Sequence, residues 1–532
     1  MRRLTLMRNN PLLLAISVFL IVLIVYLLTL SDHYSPDSMA FALLVTRNEV
    51  DQPLFFQAEH LFYPAIGWVW YQLWQFFGYG EGSLRPLQVL NALFGAGGAA
   101  LFFLALRLLL GKTRNGTFTS FAIALGLAFS YAYWYHSTGA EDQIIANAFA
   151  LASFFVLAVM WGQRKSTPYL ALALGTTSGL AILFHATHVL FIPALLYGLW
   201  HGRSHWRDVL RWAIPLVLSV GISYLLVGSL AHNLRSVEDY RHWALSAPSK
   251  GVWGQLQLLN LWQGTKALAG SVIYLEGGPN FRSLISGTLD WRNILSVAFF
   301  VAIVAGIIGS LAYSLRYRRQ LVHPSLLPLG IIWAAPYALF NLYWAPEDVQ
   351  FWSTILPPLA LVLSMVLLHL GNRFDPFESA VKGLCVFGVT ALFAFNLASA
   401  MIPNADLSTN EGYAKAMCLK DQTEPSDLII TPGWDWAGSY GPYFAQRDVL
   451  SIVDSYLLSA ERDKAKLLQL VEEHIAQIEA QGGRVYVVRL YDLDENDRAW
   501  LWRTAGLSQE DFPFQRRTEY YCLDEPIWEI LP

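Results

Sequence analysis

Runs without Asp, Glu, Lys or Arg recur along the chain, at residues 12–30, 87–106, 118–136, 143–161, 212–230, 293–315, 324–343, 351–371 and 383–402. Each approaches twenty residues, the length a helix needs to cross a hydrocarbon core of ~30 Å. A further uncharged interval, 168–200, is too long for one span. It contains His185-Ala-Thr-His188 and Pro193, so it predicts two short helices joined by a tight turn. The pattern therefore predicts about eleven transmembrane helices. The first run follows Arg2, Arg3 and Arg8 and ends without a small-residue cleavage site, which reads as a retained helix and not a removable signal.

Segment 61–79 is apolar enough to span, yet it carries three Trp, three Tyr and two Gln, the mixture of a helix lying in the interface. Charge separates the two options. If it lies flat, the loops at 107–117, 163–167, 201–211, 316–323 and 372–382 share a side with the N-terminus, and together these hold 16 Lys/Arg against 3 Asp/Glu. If it spans, those basic loops are placed outside, against the positive-inside rule. The expectation is a flat helix, a cytoplasmic N-terminus, and external loops at 31–86, 137–142, 231–292 and 344–350. The plasma (inner) membrane is the expected location.

After residue 403 the pattern changes. Residues 404–532 hold 12 Lys/Arg and 23 Asp/Glu and alternate strand-like with helix-like runs. Strands are predicted at 427–431, 449–453, 484–489 and near 518–530. Helices are predicted at 459–481, stopped by Gly482-Gly483, and at 495–505. The fold class that follows is a polytopic α-helical membrane module (1–403) with interfacial helices in its first external loop, plus an extracytoplasmic α/β domain (404–532). Cys418 and Cys522 both fall in that domain, in a compartment that permits a disulfide; a bridge and two buried thiols are the alternatives. Composition agrees with the membrane reading, at 55% hydrophobic and 14% charged residues, against roughly 25% charged in average soluble domains. Neither a nucleotide-binding glycine loop nor a basic surface for nucleic acid is present in the sequence.

Ionisable groups beside the membrane on the external side are the candidates for chemistry. The first loop opens Asp32-His33-Tyr34-Ser35-Pro36-Asp37, where Asp37 follows a proline and heads a short helical run. The second external turn holds Glu141-Asp142 at the head of a helix, and a late turn holds Glu347-Asp348. Ordinary capping accounts for each of these acids as readily as catalysis does. His60, Arg85, His185 and His188 are candidates for contacts to substrate or phosphate, joined among external cations by Arg235, Arg241, Lys250, Lys266 and Arg282. The His185/His188 pair lacks a matching carboxylate in sequence, so no metal site is assigned.

Pro36-Asp37-Ser38-Met39-Ala40-Phe41, His60-Leu-Phe-Tyr-Pro64, the turn from Trp134 to Ala140-Glu141, and Gly179-Leu-Ala to His185-Ala-Thr-His188 occur in an order that resembles GT-C superfamily membrane glycosyltransferases. The likeness is to bacterial relatives of the protein O-mannosyltransferases and the aminoarabinose transferases, and it covers roughly residues 10–400. It departs from them in having no Asp-x-Asp pair at Asp37 and no His-Pro-Pro after His60. The resemblance implies a hexosyl- or pentosyltransferase that takes a sugar from a polyprenyl-phosphate donor. Its acceptor would be a hydroxyl on a lipid, glycan or protein. It implies Asp37 as the base of an inverting displacement and Glu141 and Asp142 as catalytic partners. Asp32, His60, Arg85, His185, His188, Glu347 and Asp348 then contact substrate. No cofactor is required by this chemistry, and a divalent cation is compatible with it. The competing class, a transporter or lipid flippase, would show repeated halves and charged mid-membrane helices, and the sequence has neither.

Overall fold

The computed structural model describes residues 10–531 apart from 51–52, 112, 114, 164–166, 203–204, 246–253, 255, 276–290, 322, 374, 434, 459–462 and 494–505. Lys250, Arg282 and the helix expected at 495–505 lie outside the described residues.

Eight helices among the described residues are long and apolar enough to cross a membrane: Pro11–Leu28, Leu84–Leu110, Gln143–Gly162, Trp206–Leu230, Ile294–Arg316, Leu326–Trp344, Val349–Asn372 and Glu378–Asn404. The protein is a multi-pass membrane protein. The remaining three of the expected eleven are shorter or broken. Interval 168–200 is, as the pattern predicts, two helices, Pro168–Phe184 and Ile192–His201, separated by a 3-10 turn at Ala186–Phe191.

Segment 118–136 departs from the expectation of one continuous helix. It breaks into Gly116–Ala128 and Tyr131–Thr138, with Ser130 extended between them. Uncharged sequence does not record the break because a tertiary partner stabilises it. Asn396 donates to the Phe129 carbonyl at 2.9 Å and to the Val272 carbonyl at 3.1 Å, so the acceptor freed by the break stays bonded inside the bundle. The helix at Tyr63–Phe76 has 14 residues, about 21 Å, which is too short to span. It exposes Val69, Leu73 and Phe76 while burying Pro64, Gly67 and Tyr71, the one-sided burial of a helix that lies against the bundle.

Small residues let the bundle close. A Cβ added at Gly175 would meet the Trp212 carbonyl oxygen at 2.1 Å, and one at Gly179 would meet Ser219 Oγ at 2.2 Å. Helices Pro168–Phe184 and Trp206–Leu230 thus pack backbone to backbone, as small-residue faces spaced by four allow.

The C-terminal residues form a five-stranded sheet: β1 (Leu428–Thr431), β2 (Asp448–Ser451), β3 (Val485–Val488), β4 (Arg516–Cys522) and β5 (Glu525–Ile530), in order β2-β1-β3-β5-β4. β1 pairs in parallel with β2 and β3, and β5 runs antiparallel to β3 and β4. The first three strand predictions hold to within two residues. The single strand expected near 518–530 is instead a hairpin, turned at Leu523 in a left-handed conformation (φ 57°). The helix predicted at 459–481 is Lys464–Ala480 where described, and it ends at Gly482 (φ 79°), a conformation that favours glycine. Cys418, on a helix at Glu411–Gln422, is disulfide-bonded to Cys522 on β4.

This domain is stitched to the first loop. Asp32 and His33 N–H groups both donate to the Asn404 carbonyl (2.6 and 3.2 Å), and Asn410 donates to the Asp32 carbonyl at 2.5 Å. Tyr440 accepts from Tyr34 N–H and donates to the Tyr34 carbonyl. Met39, Ala42, Leu84, Leu87 and Ala140 share one apolar cluster with Ala416 and Tyr440.

Candidate active site

Local sequence sets the position of Asp37. Ser35 caps the helix Pro36–Thr46 by accepting from Ser38 N–H at 3.0 Å, proline occupies the first helical position, and Asp37 falls in the first turn. Its side chain is open to solvent. Yet the surrounding protein strips enough hydration to lift its pKa to about 6, opposed by His60 and reinforced by Glu141, Asp142 and Asp348. Asp37 is thus reachable from outside and still desolvated by its neighbours.

The turn that carries Glu141 and Asp142 lies beside Asp37. Asn91, on helix Leu84–Leu110, donates to the carbonyls of Gly139 (2.9 Å) and Glu141 (2.6 Å) and so holds the turn. Glu141 and Asp142 are both buried, with different partners. Glu141 Oε2 lies 2.5 Å from His136 Nδ1. Asp142 Oδ2 lies 2.5 Å from His60 Nδ1 and 3.9 Å from His185 Nε2.

His60 and His185 are brought together by backbone. Ala186 N–H donates to the Glu59 carbonyl at 3.0 Å and Phe62 N–H to the Leu183 carbonyl at 3.2 Å, pinning the first loop to the turn after Phe184. The two rings meet edge-on, 5.1 Å between centroids. Burial opposes charge on His60, but the Asp142 carboxylate outweighs it and raises the imidazole to about 9. Burial of His185 is not offset in this way, and with His60 beside it the group drops to about 4. For Asp142, burial is outweighed by the two histidines, which hold its carboxyl below the usual range. These directions favour charge on the His60–Asp142 pair and disfavour it on His185.

Other candidates fall around or outside this group. Asp348 caps the short helix Val349–Trp352, accepting from Gln350 N–H at 2.9 Å, and burial raises its pKa. Glu347 beside it points to solvent. His188 is turned to Tyr337, 2.8 Å from its hydroxyl. Asp32 and Arg85 form a separate pair at 2.8 Å, with Tyr34 donating to the same Asp32 oxygen and Arg85 reaching Gln88. The sequence thus named Asp37, His60, Glu141, Asp142, His185 and Asp348, which converge, and His188, whose ring meets that of His185 edge-on at 6.4 Å between centroids, along with Asp32, Arg85 and Glu347, which lie apart from them.

His136 and Asn91 were not anticipated. His136 precedes Glu141 by five residues, but the pairing depends on the helix break at Ser130, which has no local signal. Among the described residues, His60, Asp142 and His185 are also the group whose ligand atoms lie close enough to hold a metal ion, all within 4.8 Å of one another. The histidine pair considered from sequence, His185 and His188, is not that group.

No family model and no curated protein matches the sequence. The fold does have solved counterparts. Crystal structures of ArnT from Cupriavidus metallidurans superpose with TM-scores of 0.58 (bound to undecaprenyl phosphate) and 0.60 (apo), at 12% identity, over 97% of each chain. The expected architecture, a polytopic helical part followed by a C-terminal α/β part, is shared with these structures over almost the whole chain.

Proposed function

We propose that the protein is a glycosyltransferase that moves a sugar from a polyprenyl-phosphate carrier to an acceptor hydroxyl at the extracytoplasmic face. The observation that carries this reading is Asp37, an open but desolvated acid ringed by His60, Glu141, Asp142 and Asp348. It stands in a fold shared with a protein crystallised with undecaprenyl phosphate. Asp37 takes the acceptor hydroxyl proton as that oxygen bonds the anomeric carbon. The bond from that carbon to the phosphate oxygen breaks on the opposite face, and the carrier leaves as the phosphate monoester. A carboxyl poised at about 6 is ionised at neutral pH and remains basic enough to accept a proton. The charged His60 offers the departing phosphate a counter-charge. Glu141, clamped by His136 and Asn91, fixes the turn that carries Asp142.

The test is transfer of labelled sugar from a panel of polyprenyl-phosphate sugars to membrane acceptors, comparing wild type with Asp37→Asn at equal expression. Transfer is expected to fall by roughly 10²–10⁴-fold in the folded mutant. Undiminished transfer would remove Asp37 as the base. No transfer by wild type from any donor would favour the transporter reading.

A further inference from the structure

We propose that His60, Asp142 and His185 form a binding site for one first-row divalent cation of the Zn²⁺ type. Three observations carry it. First, His60 Nδ1 and Asp142 Oδ2 come within 2.5 Å of each other, yet His60 Nδ1 and both Asp142 oxygens are buried without a hydrogen-bond partner. The donor atoms face one another across this contact, and Asp142 Oδ1 is left over beside it. A cation beside them satisfies all of them at once. Second, two imidazoles and one carboxylate are the ligand set that borderline divalent metals take in sites with open positions. Metal–ligand bonds of about 2.0–2.2 Å put adjacent donor atoms roughly 3 Å apart, and the set lies within 4.8 Å. Closing it needs side-chain shifts only, since its backbone is already fixed by the Ala186–Glu59 and Phe62–Leu183 hydrogen bonds.

Third, an outer partner is in place. His185 Nδ1 lies 2.6 Å from Thr187 Oγ1. Donating its proton there leaves the Nε2 lone pair for metal and fixes the ring's orientation, the usual arrangement for a ligating histidine. Without metal, Nδ1 is free to accept from Thr187 N–H instead, at 3.3 Å. Asp142 and His185 are buried while His60 is partly exposed, so the open coordination positions lie on the His60 side, toward Asp37. An anionic oxygen suits them. On the glycosyltransferase reading, from which this last point follows, that oxygen belongs to the leaving phosphate, and the cation then supplies the counter-charge in place of His60, which gives up its proton on ligation.

The experiment uses full-length protein in detergent, stripped with chelator and titrated with Co²⁺, followed by its visible bands, and with Zn²⁺, followed by metal content after gel filtration. One equivalent is expected in wild type. His60→Ala and His185→Ala lose it, the surface variant His474→Ala keeps it, and Thr187→Val weakens it by about 10–100-fold. His60→Gln and His185→Gln repeat the test should an alanine variant fail to fold. Absence of bound metal in wild type, or unchanged binding in both folded histidine variants, overturns the site. The readout is independent of turnover. Protein that binds the metal but transfers no sugar keeps the site and loses the functional reading, whereas full transfer by protein that binds no metal does the reverse.

Discussion

At the scale of single residues, the site separates groups of one chemical type by their surroundings. Asp37 and Asp142 are both carboxylates in one site. The first is desolvated and left open, and the second is held below the usual carboxylate range, chiefly by His60. Only the first is suited to take a proton near neutrality. For protein kept free of divalent cations, transfer is expected to fall as pH drops through about 6, by about tenfold per pH unit. The sign follows from the role: the base must be ionised, and its raised pKa brings protonation within reach of mildly acidic buffer. A pH–rate profile flat down to pH 4 would be inconsistent with Asp37 as the base.

At the scale of elements, close backbone contacts set the helix positions from which the His185 turn emerges. Gly175→Val is expected to force Pro168–Phe184 away from Trp206–Leu230, since its Cβ would meet a carbonyl that cannot swing aside. A loss of about 1–3 kcal/mol is expected, read as a lower thermal-inactivation temperature, with transfer reduced because the turn moves with its helix. Much of this level was legible beforehand. Uncharged runs located the spans and Gly482 stopped its helix, whereas Asp37, open to a reading as the cap, lies in the first turn of a helix that Ser35 caps. The missed features depend on distant partners. Nothing near Ser130 announces that Asn396 will bond the Phe129 carbonyl and permit a break. Nothing in 518–530 distinguishes a strand from a hairpin until β3 is there to pair with β5. His60, Asp142 and His185 likewise come from three separate segments, so no spacing rule joins them.

At the scale of the whole molecule, the C-terminal domain completes the first loop. Tyr440 and Asn410 bond the backbone on which Asp32, Tyr34 and then Asp37 follow. Stability of that domain should therefore reach the site. The bridge between Cys418 and Cys522 closes a loop with a sequence separation of 104. Its removal is expected to cost about 2–5 kcal/mol. Adding a reductant, or the Cys418→Ser/Cys522→Ser pair, should lower the domain's unfolding temperature and reduce transfer together. Unchanged unfolding in reductant would show that the bridge contributes nothing to the fold.

The same stitch has a consequence in time. Residues 32–34 emerge early in synthesis, but the partners of their backbone at Asn404, Asn410 and Tyr440 lie 371 to 406 positions further on. At about 5–20 residues per second, the first loop waits roughly 20–80 s for them. Every growing chain therefore passes through a long stage with its helices made and its first loop unsupported. The site around Asp37 would in this way stay incomplete until the whole chain has been built.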